Sequence, residues 1–305
     1  MKALTITLNP SLDKTYHLDK FSRGGTNRVK STSILAGGKG VNCSNALVSL
    51  GLDVDTFVVT GGALGDTYKA YVDGAVNPIY YDIAGETRLC HKMKCGSTVT
   101  EFMEPSPYLE FAEVAEIFDQ LAALIPKYDV VAFCGSVPQG VDTLFITNLI
   151  KLAPEKFYFD SSGAALTAGI ACNPHFVKPN GDEALSLGLG AVEQTVLKLS
   201  EQGISRVTAT FGSTGAIYVR RGEVFRAYYS GESITDNIVS TVGCGDSFVA
   251  ACMFNHANKD MHEVVSYAVA CATANALTGR NGKINIETVD NLLPKITVRR
   301  AEVQT

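Results

Sequence analysis

The sequence of 305 residues has no uninterrupted apolar run near the roughly 18 residues of a membrane span. Its N-terminal stretch reaches Asn9-Pro10 too soon to form a signal peptide and is typical of a first β-strand. It also has no long basic run, and its formal net charge is −5. Neither a nucleic-acid nor a membrane partner is expected, because both need a clustered positive field.

The sequence also has no Cys-x-x-Cys pair, although it has eight cysteines. They are dispersed, and several lie inside apolar stretches: Cys43, Cys90, Cys95, Cys134, Cys172, Cys244, Cys252 and Cys271. In a chain of this length without a signal peptide, this pattern favours buried, reduced thiols over disulfides or a metal site. The expected location is cytoplasmic.

Internal repeats and low-complexity linkers are absent as well, so residues 1–305 are predicted to form one large domain. Apolar strand patterns occur at Val54–Val59, Val130–Cys134, Phe157–Phe159 and Val207–Phe211. Helical periodicity occurs at Val41–Leu50, Phe111–Leu124, Asp142–Leu152, Ala191–Leu199, Asp246–Asn255 and Glu263–Leu277. This alternation predicts an α/β fold with a mostly parallel sheet.

Two segments interrupt the alternation, at Tyr16–Leu35 and Tyr80–Met103. Both alternate apolar and polar residues with no helix between, which predicts antiparallel strands inserted into the α/β core. Residues of about 12–35 and 80–104 would then form a small β-sheet lid that excludes water from a reactive group, or else a decorated sheet edge. One face of such a lid needs cover, which a second subunit of a homodimer would provide.

A glycine-rich turn, Ser240 to Asp246, runs directly into an apolar helical pattern. The unpaired N–H groups at a helix start bind anions, and Gly243 and Gly245 allow the backbone to approach a phosphate closely. Asp246 at this position is either a base that accepts a proton from a hydroxyl group or an ordinary N-terminal cap. The turn is not a Walker loop, because no Gly-Lys-Ser/Thr follows the glycines.

A second glycine-rich turn, Ala36 to Asn42, opens another helix. It offers backbone donors, the cation of Lys39 and the amide of Asn42, a set that suits a hydroxylated or phosphorylated ligand. The alternative is a tight left-handed connection with no ligand.

Both turns resemble the two signatures of the ribokinase-like, or PfkB, sugar kinase family, and the similarity covers nearly the whole chain. Four further motifs take part in it: Leu8 to Asp13, Gly135 to Pro138, Lys178 to Glu183 and Phe211 to Ala216. The similarity is strongest to the branch that holds the 1-phosphofructokinases and tagatose-6-phosphate kinases. It implies a ribokinase-like three-layer α/β/α fold with the lid described above.

The resemblance implies that Asp246 is the catalytic base and that the amides of Gly243, Cys244 and Gly245 form an anion hole. Family members usually have Ala or Ser at the position of Cys244, and a backbone amide tolerates that change. The resemblance further implies substrate contacts from residues of the lid and the second turn: Asp13, Gly38 and Asn42 to sugar hydroxyls, and Lys39, Arg88 and Arg28 to the phosphate already on the substrate. The resemblance also places Cys90 among the residues that contact the substrate.

For the nucleotide, the resemblance implies contacts from Lys178, Asn180, Gly212 and Gly215. Asn275 would lie near the adenine, or else take part in ordinary helix packing. Glu183 would bind Mg²⁺ through water molecules, as is usual for this ion. The implied activity is ATP-dependent phosphorylation of a ketohexose phosphate at a primary hydroxyl group, giving a ketohexose 1,6-bisphosphate.

The choice between the two substrates stays open at this stage, because Val239 to Gly243 is more similar to 1-phosphofructokinases and Arg88 to Cys90 to tagatose-6-phosphate kinases. Three other functions are alternatives: a family kinase for an unphosphorylated sugar or nucleoside, a non-catalytic sugar-phosphate sensor, and a dinucleotide-dependent oxidoreductase. The last lacks the Gly-x-Gly-x-x-Gly expected after the first strand.

Overall fold

The computed structural model describes residues 1–96 and 98–303, in which strands and helices alternate along most of the chain. The strands are β1 (Lys2–Thr7), β2 (Ser11–Leu18), β3 (Ser31–Gly37), β4 (Asp53–Gly61), β5 (Asn77–Ile83), β6 (Arg88–Cys95), β7 (Thr98–Met103), β8 (Val130–Cys134), β9 (Phe157–Asp160), β10 (Phe176–Val177), β11 (Arg206–Thr210), β12 (Ala216–Arg220), β13 (Glu223–Tyr229) and β14 (Ile296–Arg300). The four strands predicted from apolar patterns correspond to β4, β8, β9 and β11.

The α-helices are α1 (Lys39–Ser49), α2 (Gly62–Tyr71), α3 (Phe111–Leu124), α4 (Thr143–Lys151), α5 (Gly163–Ile170), α6 (Gly181–Ser186), α7 (Val192–Glu201), α8 (Cys244–Phe254), α9 (Met261–Ala276) and α10 (Ile286–Leu292). Helix α4 shows how the sequence specifies them. The Asp142 carboxylate caps it by accepting from the Phe145 amide at 2.9 Å. Its buried side chains, Phe145, Ile146, Leu149 and Ile150, share one face. Every helix in the described ranges is too short or too polar to cross a membrane.

Ten strands form one large sheet in the order β14-β13-β12-β11-β10-β9-β8-β1-β4-β5. The pairs from β11 to β5 are parallel, and the pairs among β11, β12, β13 and β14 are antiparallel. Helices cover both faces, because one apolar core joins the sheet to α3, α4, α5 and α7, and the other joins it to α1, α8, α9 and α10. The predicted three-layer α/β/α architecture is confirmed.

A separate sheet of four strands, ordered β3-β2-β6-β7, corresponds to the predicted lid. The two hairpins β2–β3 and β6–β7 are antiparallel as predicted, but β2 and β6 join them in parallel. The sequence had not indicated how the two hairpins would pair, because the chain passes through α1, β4, α2 and β5 before it returns to β6.

The predicted second lid segment began too early. Tyr80 to Ile83 belong to β5, which pairs in parallel with β4 at the edge of the large sheet. As an edge strand, β5 alternates exposed and buried residues, which gives it the same sequence pattern as a lid strand.

Candidate active site

Five neighbouring strands of the large sheet, β11, β10, β9, β8 and β1, end at the same edge because they are parallel. The residues at or just after their carboxyl ends are Gly212, Lys178, Asp160, Gly135 and Asn9. In open α/β sheets this edge is where ligands bind. Most of the sequence motifs singled out above are therefore brought to one side of the molecule.

Asp160, the last residue of β9, is fully buried and lies between two lysines. Its Oδ1 accepts a hydrogen bond from the Lys39 Nζ at 3.0 Å, and its Oδ2 forms an ion pair with the Lys178 Nζ at 3.1 Å. Burial by itself would raise the pKa of Asp160, but Lys178 and Lys39 together hold that pKa below its ordinary value. Asp160 in turn raises the pKa of Lys39, so Lys39 stays charged.

Asp160 was not among the residues predicted from the sequence. The available signal was a carboxylate at the end of a strand, Phe157–Asp160, whose other residues are all large and apolar. A charged residue ending a wholly buried strand needs a partner or a function, because an unpaired buried charge is very costly.

Asp246 lies in the first turn of α8 and is 5% exposed. Its Oδ2 accepts a hydrogen bond from the Asn42 Nδ2 at 2.8 Å. Burial raises the pKa of Asp246 to about 6, an effect that Lys39 partly offsets and Asp160 reinforces. A carboxylate with this pKa is ionised at neutral pH and accepts a proton more readily than an exposed aspartate.

The turn before α8 has the geometry of an anion site. Gly243 caps the helix with φ of +86°, a left-handed conformation that favours glycine. A side chain added to Gly245 would come within 3.7 Å of the Lys178 Nζ, so this cation lies beside the helix start. The Cys244 amide donates a long bond, 3.3 Å, to the Thr241 carbonyl oxygen, and burial raises the pKa of the Cys244 thiol.

The lid turns one charged face toward this edge. Asp13 on β2 and Cys90 on β6 are direct neighbours in register, and the Lys92 Nζ contacts the Asp13 Oδ2 at 2.8 Å. The Ser11 hydroxyl donates to the other Asp13 oxygen at 2.7 Å. Gly37 has to be glycine, since a Cβ there would lie 2.6 Å from that same oxygen. Lys92 was not anticipated from the sequence, in which it is one of several lysines on alternating strands.

Arg88 lies at the same end of the lid as Asp13, where its Nη2 and Nε donate weakly, at 3.4 Å, to the Asn9 and Pro10 carbonyl oxygens. The Asn9 side chain bonds Ser136 at 3.0 Å, which links this group to the end of β8. Arg88 therefore borders the same edge as the lysine cluster.

Arg28 lies elsewhere. It is exposed in the loop between β2 and β3, at the far end of these strands from Asp13 and Gly37. Seven residues of strand span about 23 Å at ~3.3 Å each. Within one chain, Arg28 therefore does not lie beside Arg88, and that expectation is corrected. The sequence showed the alternation of β2 and β3, but not that these strands run away from the site toward Arg28.

The nucleotide-side motifs meet where β10 and β11 end. Asn180 and Glu183 form a reciprocal capping box at α6, with bonds of 2.7 and 2.8 Å between each side chain and the other residue's amide. The Asn180 backbone also forms an isolated parallel β-bridge with Thr210, which brings Asn180 next to the turn that contains Gly212 and Gly215. Gly215, with φ of +90°, has no room for a side chain.

Asn275 does not face open space as a residue that contacts adenine would. It is 1% exposed, and its Nδ2 donates to the Val242 carbonyl oxygen at 2.9 Å while its Oδ1 accepts from the Gly282 amide at 2.8 Å. Its side chain therefore fixes the loop that precedes Gly243. These bonds agree with ordinary helix packing, and a contact with the adenine stays a prediction.

Two buried amide oxygens in this region, Asn42 Oδ1 and Asn9 Oδ1, have no hydrogen-bond partner within the described ranges. A buried acceptor without a partner is unfavourable, so each oxygen has capacity for one further donor. The Gly38 carbonyl oxygen accepts from the Asn42 amide at 3.0 Å, and the φ of +129° at Gly38 favours glycine.

A glycine-rich helix start, a buried carboxylate with a raised pKa and two lysines held by a second carboxylate together fit the site of a phosphotransferase. The chain belongs to the pfkB family of carbohydrate kinases, whose profile matches residues 6–287. It is thus an enzyme that transfers a phosphoryl group to an alcohol acceptor.

Individual relatives agree with this assignment. The chain is 33% identical to a tagatose-6-phosphate kinase of Staphylococcus epidermidis, over 97% of this chain and 98% of that one. It is similar to the solved structure of Escherichia coli phosphofructokinase-2 in complex with substrates and products, with a TM-score of 0.84, 25% identity and coverage of 96% and 99%. A possible 1-phosphofructokinase from Thermotoga maritima shares the fold, with a TM-score of 0.86, 22% identity and coverage of 99% and 100%.

The variant Asp246→Asn should lower turnover by at least ~10², because an amide cannot accept the proton of an attacking hydroxyl group. Its melting temperature should not fall, since the substitution removes a buried charge. Steady-state ADP release and thermal unfolding measure the two effects. Undiminished turnover by the variant would contradict the role of base.

Turnover by the parent enzyme should also decline as the pH falls through about 6, where Asp246 becomes protonated.

The variant Asp160→Asn should be destabilised by roughly 3–5 kcal/mol, because the buried Lys178 would lose the partner that balances its charge. Denaturant unfolding at pH 7 measures this. The control is Asp129→Asn, whose carboxylate is exposed and whose loss should cost less than about 1 kcal/mol. Equal stability of the two variants would show that Asp160 does not hold the lysine cluster together.

Proposed function

We propose that this kinase transfers the γ-phosphoryl group of ATP to a primary hydroxyl group of a ketohexose phosphate, giving a ketohexose 1,6-bisphosphate. The observation that carries the proposal is the buried Asp246, held by Asn42 beside the Lys39–Asp160–Lys178 cluster and facing an edge that Arg88 borders. Tagatose 6-phosphate is the first candidate, because the S. epidermidis relative of nearly equal length is named for it. Fructose 1-phosphate is the second, on the similarity of Val239 to Gly243.

On the substrate side, Asp13 and the free oxygens of Asn9 and Asn42 accept hydrogen bonds from the sugar hydroxyls. Arg88 binds the phosphate already on the substrate, since its planar fork pairs with two phosphate oxygens and its present bonds are weak. Lys39 assists Arg88 from the other side. Its side chain is paired with Asp160 but is 39% exposed, so it is accessible to a ligand.

In the transfer step, Asp246 orients the attacking hydroxyl group and accepts its proton. The transition state is loose, so positioning and neutralisation of charge contribute more than the strength of the base. Lys178 beside Gly245 and the amides at the start of α8 neutralise the transferred group. Closure of the lid would keep water from competing with the sugar.

The nucleotide lies along the ends of β10 and β11, with its phosphates near Asn180, Gly212 and Gly215. Within the described residues, no three carboxylates, histidines or cysteines are grouped so as to hold a metal ion by themselves. Mg²⁺ needs few protein ligands, because it keeps several waters and is held largely by substrate phosphates. Glu183 would contact it through water, since one Glu183 oxygen is already used in the capping box.

The lid also supports a homodimer. Asp13, Arg88 and Lys92 occupy one face of the four-stranded sheet, and the register puts Tyr16, His91 and Phe102 on the other. Phe102 is 50% exposed, and an apolar side chain on that outer face would gain from cover by a second subunit.

The substrate proposal is tested by coupled ADP release with MgATP and a panel of tagatose 6-phosphate, fructose 1-phosphate, fructose 6-phosphate, free fructose and free ribose. Turnover is expected only with phosphorylated ketohexoses, with the highest kcat/KM for tagatose 6-phosphate. In Arg88→Met the KM for the sugar phosphate should rise at least tenfold. The exposed Arg221→Met is the matched control. Turnover confined to free sugars would discard the phosphate contacts and favour a kinase for unphosphorylated sugars.

Light scattering tests the dimer. We expect twice the mass of one chain at micromolar concentration, and a shift toward monomer in Phe102→Glu, which adds a charge to the apolar lid face. The control is Lys94→Glu on the opposite, charged face. A monomeric parent protein at working concentration would remove the proposal.

A further inference from the structure

A cavity of about 200 Å³ lies outside the group of residues around Asp246. It is enclosed by strand β3, helices α1 and α2 and the loop of residues 280–283. Leu35, Val41 and Val72 give it an apolar wall, and the ring of Tyr71 lies at its border. None of the motifs considered above accounts for it.

The cavity contains an acceptor that needs a donor. Asn45 lines it and is 8% exposed, with its Nδ2 bonded to the Asn281 carbonyl oxygen at 3.3 Å. Its Oδ1 has no hydrogen-bond partner in the described part of the chain. A ligand that brought a hydroxyl group to this oxygen would satisfy it.

The lining also carries an excess of positive charge. Lys283 is paired with Asp73 at 2.9 Å, while Arg280 is exposed and has no ion pair within the described ranges. Two cations and one carboxylate leave a net charge of +1. The charge of Arg280 also attracts the nearby Asp73 carboxylate, and its planar guanidinium fork suits the oxygens of a phosphate group.

We propose that this cavity is a regulatory site for a small organic phosphate of about three to six carbon atoms. Its phosphate pairs with Arg280 and Lys283, and a hydroxyl group donates to Asn45. The volume lies below the roughly 300–1,000 Å³ typical of sites for larger, drug-sized ligands, which favours a small metabolite over a nucleotide.

The floor of the cavity is continuous with the catalytic turn. Gly282 follows Asn281, and a Cβ at Gly282 would lie 2.0 Å from the Asn42 carbonyl oxygen, so the two backbones are in direct contact. Asn42 holds Asp246, and Asn275 links Gly282 to the turn before α8. A ligand that orders this loop would also order the base, and we expect it to raise kcat/KM. Only this effect on turnover rests on the proposed function; binding does not.

Isothermal titration calorimetry with glycerol 3-phosphate tests the site without turnover. Binding is expected to the parent protein and to the control Arg221→Gln, and to weaken at least tenfold in Arg280→Glu and in Val72→Phe, which fills the cavity. Glycerol should not bind, and inorganic phosphate should bind at least tenfold more weakly than glycerol 3-phosphate.

Three results would overturn the proposal: no heat of binding at 10 mM ligand, equal affinity in both cavity variants, or inorganic phosphate binding as tightly as the ester. Thermal unfolding of each variant confirms that it is folded. If a cavity variant loses binding and its turnover does not change, the binding site stands but its regulatory role is removed. Failure of the sugar-phosphate assay, with calorimetric binding intact, would instead count against the proposed function alone.

Discussion

Asp160, itself fully buried, places a negative charge between the ammonium groups of Lys39 and Lys178. Without it, the two cations would face each other with no opposite charge between them. With it, the two Nζ atoms share a partner and keep fixed positions. Such preorganisation lets cations stabilise a developing charge without rearranging when the reaction occurs.

The same balance explains why Asp246 can have a raised pKa without losing its proton-accepting role. Burial favours the protonated carboxyl group, and the charge of Asp160 acts in the same direction. Lys39 opposes both, and the hydrogen bond from Asn42 favours the ionised form. The outcome is a pKa of about 6, close enough to neutral pH for a useful base and low enough for it to be ionised there.

The sequence was sufficient for the architecture and for the two glycine-rich turns, because both rest on local patterns. Strand and helix periodicities appear within a single segment, and so does the Asn180-x-x-Glu183 capping box. What it could not provide was pairing between distant segments. The parallel contact of β2 with β6 and the assignment of Tyr80 to the large sheet both depend on how the chain returns after a long excursion.

Asn275 illustrates the same limit at the level of one side chain. Its position in a helix near the end of the chain is visible in the sequence, but its two hydrogen bonds join the turn before Gly243 to Gly282. A polar residue that is 1% exposed stabilises the chain only when its partners are in place, so its function is to hold these loops together. Since the Gly282 backbone also lies against the Asn42 carbonyl group, one network of buried amides links the turn before α8 to Asp246.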